Sequence, residues 1–275
     1  IEIRGLLSMG KFEEAEKKIA ALPDRNGTKF WAARLEVANS YYSRNQKDEC
    51  MKIYDEFFKK YPDPPKELRD FHKNACYTYG YLLKSSGDFK RASEIYEALM
   101  KRVKDDVWCD LASDVAEMHL KVATEAQKKN DKKTFDAELK AANKIAERLL
   151  WRLDQPVFFG KGISLKAHCE QMRGNVDDAT KFIEEYKPQL QELHDQIVAV
   201  DPDGRQGFLK QSPLPECLYL QAKMLWDEIQ AESKKTPKRD DEKIKNWMFG
   251  PKPKNGGKRD GSKGAFNMAL NVFLN

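Results

Sequence analysis

The sequence predicts an all-α protein built from repeated helix hairpins, and three observations carry that expectation. First, a pattern of Gly, then Phe or Val two residues on, Ala three further and a large apolar residue four further recurs with unchanged spacing. Its copies are Gly10, Phe12, Ala15, Ile19; Gly87, Phe89, Ala92, Tyr96; Gly174, Val176, Ala179, Ile183; and Gly264, Phe266, Ala269, Phe273. A degenerate copy, Asn45, Lys47, Cys50, Tyr54, keeps a residue that tolerates positive φ and a small side chain. Second, the stretches before these copies carry apolar and small residues at helical spacing, as in Ala38 and Tyr41 or Gly80 and Leu83. Third, 275 residues with 40% hydrophobic and 34% charged residues, 15 Gly and 12 Pro, suit a globular chain and exclude disordered or collagen-like classes.

The elements follow in order. Gly or Asn past a helix lets the chain turn, the next aromatic or Val staples the following helix, and the small residue admits close helix contact. Residues 30–43 form a helix ending at Asn45. Pro62, Pro64 and Pro65 bar a helix over 63–70, and residues 74–85 form the next helix, ending at Gly87. The 87 residues from Ala92 to Ala179 leave room for helices over 107–128 and 134–153, the latter with Leu139, Ala142, Ala146 and Leu149 on one face. A helix from Ala179 runs on to Val200, with Pro188 starting a new segment or kinking it, and residues 201–204 are a turn. Residues 215–233 are the first helix of a last pair whose partner begins near Ser262. An insertion of about 30 residues separates them.

The hairpin pattern resembles the tetratricopeptide repeat family in a divergent, bacterial-type form. Residues 31–62 carry Ala38, Tyr41, Cys50, Tyr54 and Pro62 at the family's characteristic places, and the next repeat carries Gly80, Leu83, Ala92 and Tyr96. The resemblance implies a single right-handed antiparallel helix-hairpin solenoid over 1–275, of about five to six helix pairs, with a basic loop insertion over 234–263. It also implies a non-catalytic protein–protein interaction scaffold that binds a peptide or partner helix in a concave groove. The family's ligand-facing places on each first helix fall on Ala32, Leu35, Asn39, Tyr42 and Ser43; on Asn74, Tyr77, Tyr81, Lys84 and Ser85; and on Lys161, Ser164, His168, Gln171 and Met172. Of these, Asn39, Tyr42, Asn74, Tyr77, Tyr81, Lys84, His168 and Gln171 form the expected groove. The family's clamp for C-terminal carboxylates needs a Lys where Leu35 stands, so that specialised role is not expected. The resemblance is compatible with cytoplasm and bacterial envelope alike.

The net charge of +5 is unevenly placed. Between Lys234 and Lys263 eleven basic residues face four acidic ones, a net +7, which leaves −2 for the remainder. A whole-molecule field for nucleic acid is therefore not supported. The insertion, with Lys238, Arg239, Trp247, Phe249, Lys252 and Lys254, is a candidate docking arm for an acidic partner or anionic surface. Its bland alternative is a solvated loop anchored by Trp247, Met248 and Phe249.

Five cysteines and four histidines lack metal-ligand spacing, so no metal, no cofactor and no disulfide framework is expected, and Cys50 and Cys76 are read as buried thiols. Trp31, Trp108, Trp151 and Trp226 are read as core. The chain has no G-x-S-x-G, no H-E-x-x-H and no Gly-rich phosphate loop after a strand, which argues against an enzyme. The competing expectation is a regulatory or substrate-recruiting module of a larger enzyme, because the chain starts at Ile1 and ends in an apolar helical pattern. The longest uncharged run, 264–275, is too short to span a membrane.

Overall fold

A computed structural model describes residues 2–24, 27–234, 240–250 and 252–253. The motif copy beginning at Gly264 and the candidate residues Lys238, Arg239 and Lys254 lie outside the described residues. Those described form twelve α-helices and two short 3-10 turns, with no strand among them. The chain divides into two compact units, Ile1–Val122 and Ala123–Asn275.

The first unit holds α1 (Glu2–Ser8), α2 (Phe12–Ala20), α3 (Thr28–Ser43), α4 (Lys47–Lys60), α5 (Arg69–Ser85), α6 (Phe89–Met100) and most of α7 (Asp105–Lys128). The second holds the last turn and a half of α7, then α8 (Lys132–Leu149), α9 (Pro156–Met172), α10 (Val176–Val200), α11 (Leu214–Ser233) and α12 (Asp241–Phe249).

The Gly and Asn positions of the sequence motif close helices by one shared geometry. Gly10, Asn45, Gly87 and Gly174 all have φ between 59° and 87°. At each, the N–H of the following residue donates to the carbonyl five residues back: Lys11 to Leu6, Gln46 to Tyr41, Asp88 to Leu83 and Asn175 to Glu170, every one at 2.9 Å. A second N–H, that of the turn residue itself, bonds three residues back. This pair of bonds satisfies carbonyls that the ending helix would leave open and reverses the chain. Asn130 forms the same turn between α7 and α8, with φ 56° and Asp131 N–H bonded to Ala126 O at 2.9 Å.

The motif's remaining positions are the hairpin contacts. Ala15, Cys50, Ala92 and Ala179 are all fully buried, as are Tyr54 and Ile183. In the first unit α1 pairs with α2, α3 with α4 and α5 with α6, and α3 also meets α1 and α5. Aromatic rings fill the joint between α3, α4 and α5: Trp31 lies 5.8 Å from Phe57, Tyr54 5.6 Å from Tyr79, and Phe58 stacks on Tyr79 at 5.3 Å. Gly80 is required there by contact, because a Cβ at that position would stand 2.1 Å from Tyr96 Cε1. The prolines keep regular helix out only as far as 65: buried Leu68 anchors a single 3-10 turn, and α5 begins at Arg69, inside the stretch expected to be free of helix and five residues before the expected start at 74.

In the second unit α9 is central and touches α8, α10 and α11. Ile163, Ala167, Ile183, Leu190, Leu214, Leu218 and Met224 make its core. Gly162 lets α9 approach α8, since a Cβ would meet Leu149 Cβ at 3.1 Å and Leu150 N at 3.0 Å.

Other local expectations also change. α10 runs unbroken through Pro188, which is exposed, so no new segment starts there. α8 ends at Leu149 instead of reaching 153. Trp151 consequently sits in the turn at 82% exposure rather than in the core, and Trp226 on α11 is 42% exposed, whereas Trp31 and Trp108 are buried as expected. Within the insertion, expected as loop, Asp241–Phe249 is helical because Asp240 caps it: its side chain accepts from Lys243 N–H at 2.9 Å, and Asp241 and Glu242 add favourable charge to the first turn.

Candidate functional site

The expected groove residues of the first unit do not share one environment. On α3, Leu35 is buried in the core and unavailable to a ligand. Asn39 is half-buried, and its Oδ1 accepts from Tyr54 OH at 2.8 Å, so its amide helps tie α3 to α4. Tyr42, one turn on, is exposed, and so is Ser43.

On α5 the four expected residues lie at spacings of three and four, on one stripe of the helix. Asn74 is exposed, Tyr77 half-buried, Tyr81 53% exposed and Lys84 half-buried. Burial, followed by the nearby Cys76 and Asp110, raises the Tyr77 hydroxyl above its ordinary pKa. The Lys84 ammonium is paired with Asp114 at 2.9 Å, so it is not a bare charge for a partner carboxylate. What remains open on this unit is aromatic and amide surface from Tyr42, Asn74 and Tyr81.

In the second unit, Ser164 is buried and Lys161 half-buried, while His168, Gln171 and Met172 come together in a groove of about 400 Å³. The groove is lined by the last turns of α7 and α9, the first residue of α10 and α11. The turn at Gly174 sets the end of α9: Gly174 N–H bonds to Gln171 O at 2.9 Å. Glu170 holds the same end, accepting from Arg173 at 2.6 Å and from Asn175 at 2.9 Å. Burial pushes the Glu170 carboxyl up, but the Asn175 hydrogen bond with the Arg173 and Lys166 charges brings it below the ordinary carboxylate value.

Met172, Val176 and Met224 give the groove an apolar wall, and Lys223, Asp227 and Glu228 bring charge from α11. Gln171 Oε1 is itself fully occluded from solvent and has no hydrogen-bond partner. A buried acceptor left open is costly, on the order of 1–3 kcal/mol, unless a donor reaches it. The α11 members were not anticipated. Their helix was legible, but its contact with α9 joins residues more than forty positions apart.

Of the insertion, Trp247 and Met248 are half-buried, and α12 rests on α11. The Lys243 ammonium lies 4.5 Å from the Trp247 ring centroid, a cation–π distance. Phe249, Lys245 and Lys252 are exposed. The aromatic triplet is therefore partly an anchor, with Phe249 left outside.

A second polar cluster in the first unit was also unanticipated. His72 is fully buried on α5, its Nδ1 3.3 Å from Cys76 Sγ and 3.2 Å from Arg102 Nη1. An Arg nitrogen is always a donor, so Nδ1 accepts and the ring proton sits on Nε2. Burial raises the Cys76 thiol to about 12, which makes it a packing group and not a nucleophile. None of the five cysteines is in a disulfide, and all are buried.

Among the described residues no group of His, Cys, Asp and Glu is placed to hold a metal ion, and no helix is long and apolar enough to cross a membrane. No protein-family model, curated protein or solved structure matches this chain.

Proposed function

We propose that this chain is a non-catalytic interaction scaffold, a right-handed tetratricopeptide-like solenoid that binds a peptide or partner helix along the first helices of its hairpins. The reading is supported above all by the groove at the end of α9. His168 and Gln171, which the family resemblance assigns to ligand contact, line it together with apolar Met172 and Met224. Exposed Tyr42, Asn74 and Tyr81 extend the same logic to α3 and α5 of the first unit: amphipathic rings and an amide on rigid helices lose little entropy on binding.

A quantitative capture of partners from source-cell extract tests it. The combination Tyr77→Ala, Tyr81→Ala and Gln171→Ala, with far-ultraviolet dichroism and melting unchanged, is expected to release the partners that the intact chain retains. Equal retention would sink the groove reading.

A second reading, docking through the insertion, is favoured by the net +7 over 234–263 and by exposed Phe249 beside Lys245. Replacing Lys235 to Ser262 with a short Gly/Ser linker separates the two. A partner lost only on that replacement belongs to the insertion, and one retained belongs to the repeat helices.

A further inference from the structure

We propose that the exposed face of α8, with the turn that follows it, docks the chain onto an anionic lipid bilayer. This face is separate from the first-helix surfaces of the scaffold reading and does not depend on that reading. Lys133, Lys140, Lys144 and Arg148 follow one another at intervals of seven, four and four, which places them on one stripe of the helix. All four are exposed, while Leu139, Ala142, Ala146 and Leu149 occupy the opposite, buried face. Lys140 and Lys144 form no ion pair or hydrogen bond among the described residues, so their charge is available. Glu147 lies beside the stripe, but its carboxylate is taken by Lys166 at 3.1 Å and by the Asn143 amide at 2.8 Å. Asp136 is left as the uncommitted acid beside it. Between Lys132 and Leu153 six basic residues face three acidic ones.

The stripe ends in exposed apolar side chains. Trp151 and Leu153, 82% and 72% exposed, are the two most exposed large hydrophobics among the described residues. The chain still coils as α8 ends: Trp151 N–H bonds to Arg148 O at 3.4 Å and Arg152 N–H to Leu149 O at 2.9 Å, so Trp151 follows Arg148 on the same side. Arg152 pairs with Asp154 at 3.2 Å and braces the turn. A built turn thus holds an indole and a leucine clear of the body at the end of a basic row.

A bilayer is the surface that uses both features. An indole is amphipathic and settles at headgroup depth, and apolar side chains beside it reach the acyl boundary. Ammonium groups on flexible stems suit a diffuse negative surface, where each need only come within a Debye length. An acidic protein partner fits less well, because a specific interface takes about 800 Å² from each side around a close-packed centre. Two side chains standing out from a turn offer depth instead of such a centre.

The test is co-sedimentation of the intact chain with sucrose-loaded vesicles of phosphatidylcholine, alone or with about a third phosphatidylserine. Partition should be about tenfold stronger to the anionic vesicles at about 0.1 M salt and should fall steeply at about 0.5 M. Because the segment 234–263 is itself basic, each variant is measured both in the intact chain and with Lys235 to Ser262 replaced by a Gly/Ser linker. The pair Lys140→Glu with Lys144→Glu, and the pair Trp151→Ala with Leu153→Ala, should each weaken partition fivefold or more in both backgrounds. Lys140→Arg with Lys144→Arg should not. All four residues are exposed, so these changes are compatible with the fold, and urea unfolding checks that. Brominated phosphatidylcholine should quench the intact chain more than it quenches Trp151→Phe.

Partition that survives both weakening pairs and vanishes with the basic segment assigns binding to that segment and overturns docking by α8. Weakening by the lysine pair alone, without quenching of Trp151, leaves a charge contact with no insertion and overturns it too. Absence of partition also overturns it, and if a labelled poly-glutamate peptide then binds and is released by the same substitutions, the face belongs to an acidic protein partner.

Discussion

His72 is the residue whose chemistry the fold changes most. It is buried beside the Arg102 guanidinium, and burial first, then that positive charge, lowers its pKa from 6.5 to about 4. A folded pKa below the unfolded one means that acid favours the unfolded chain: the stability is fully present above about pH 6.5 and is lost as pH falls towards about 4. At pH 5 the loss from this one group is about 2 kcal/mol. Urea unfolding at pH 7 and pH 5 should show it, and His72→Gln should flatten the difference. An equal pH slope in the variant would assign the effect to other groups. The burial of Cys50 and Cys76 was legible from their places in the repeat. The His72 cluster was not, because Arg102 and Asp63, which pair with one another, reach it from thirty residues downstream and nine upstream.

The hairpin turns are the elements read most completely from sequence. Positive φ at Gly10, Asn45, Gly87 and Gly174 follows from the local demand of reversing a helix within one residue, and Asn130, like Asn45, obeys the same rule with a lysine two places on. Two glycines separate the two reasons for a glycine. At Gly87 a Cβ would meet nothing within 4 Å, so Gly87→Ala is expected to cost only the left-handed backbone penalty, about 1 kcal/mol, in urea unfolding. At Gly80 the backbone is helical and Ala would gain about 1 kcal/mol in propensity, yet the Tyr96 ring stands in the way. Overpacking of about 1–3 kcal/mol should prevail, and Gly80→Ala should destabilise. In a Tyr96→Leu background the same change should become neutral or favourable, and a persistent loss would refute steric conflict with that ring. α12 and the early end of α8 escaped sequence reading because each turns on one local choice, an Asp cap in the first case and a chain reversal before Pro156 in the second.

At the scale of the molecule, charge and repeat are separately placed. The basic segment carries more than the chain's whole net charge, so replacing Lys235 to Ser262 by a Gly/Ser linker should move elution from a sulfonate exchanger at pH 7 to much lower salt. Unchanged retention would mean that another surface carries the interaction. The sequence by itself determined the all-helical class, the hairpin turns at Gly10, Asn45, Gly87 and Gly174 and the small residues at helix contacts, because φ preference and helical periodicity act over a few residues. Only the tertiary structure decided which first-helix positions face outward. Leu35 went to the core and Asn39 to a bond with Tyr54. His168 and Gln171 came to line one groove with Asp227 and Glu228 from α11. Those outcomes depend on which helices touch, and the free energy of that contact is a property of pairs of surfaces far apart in the chain.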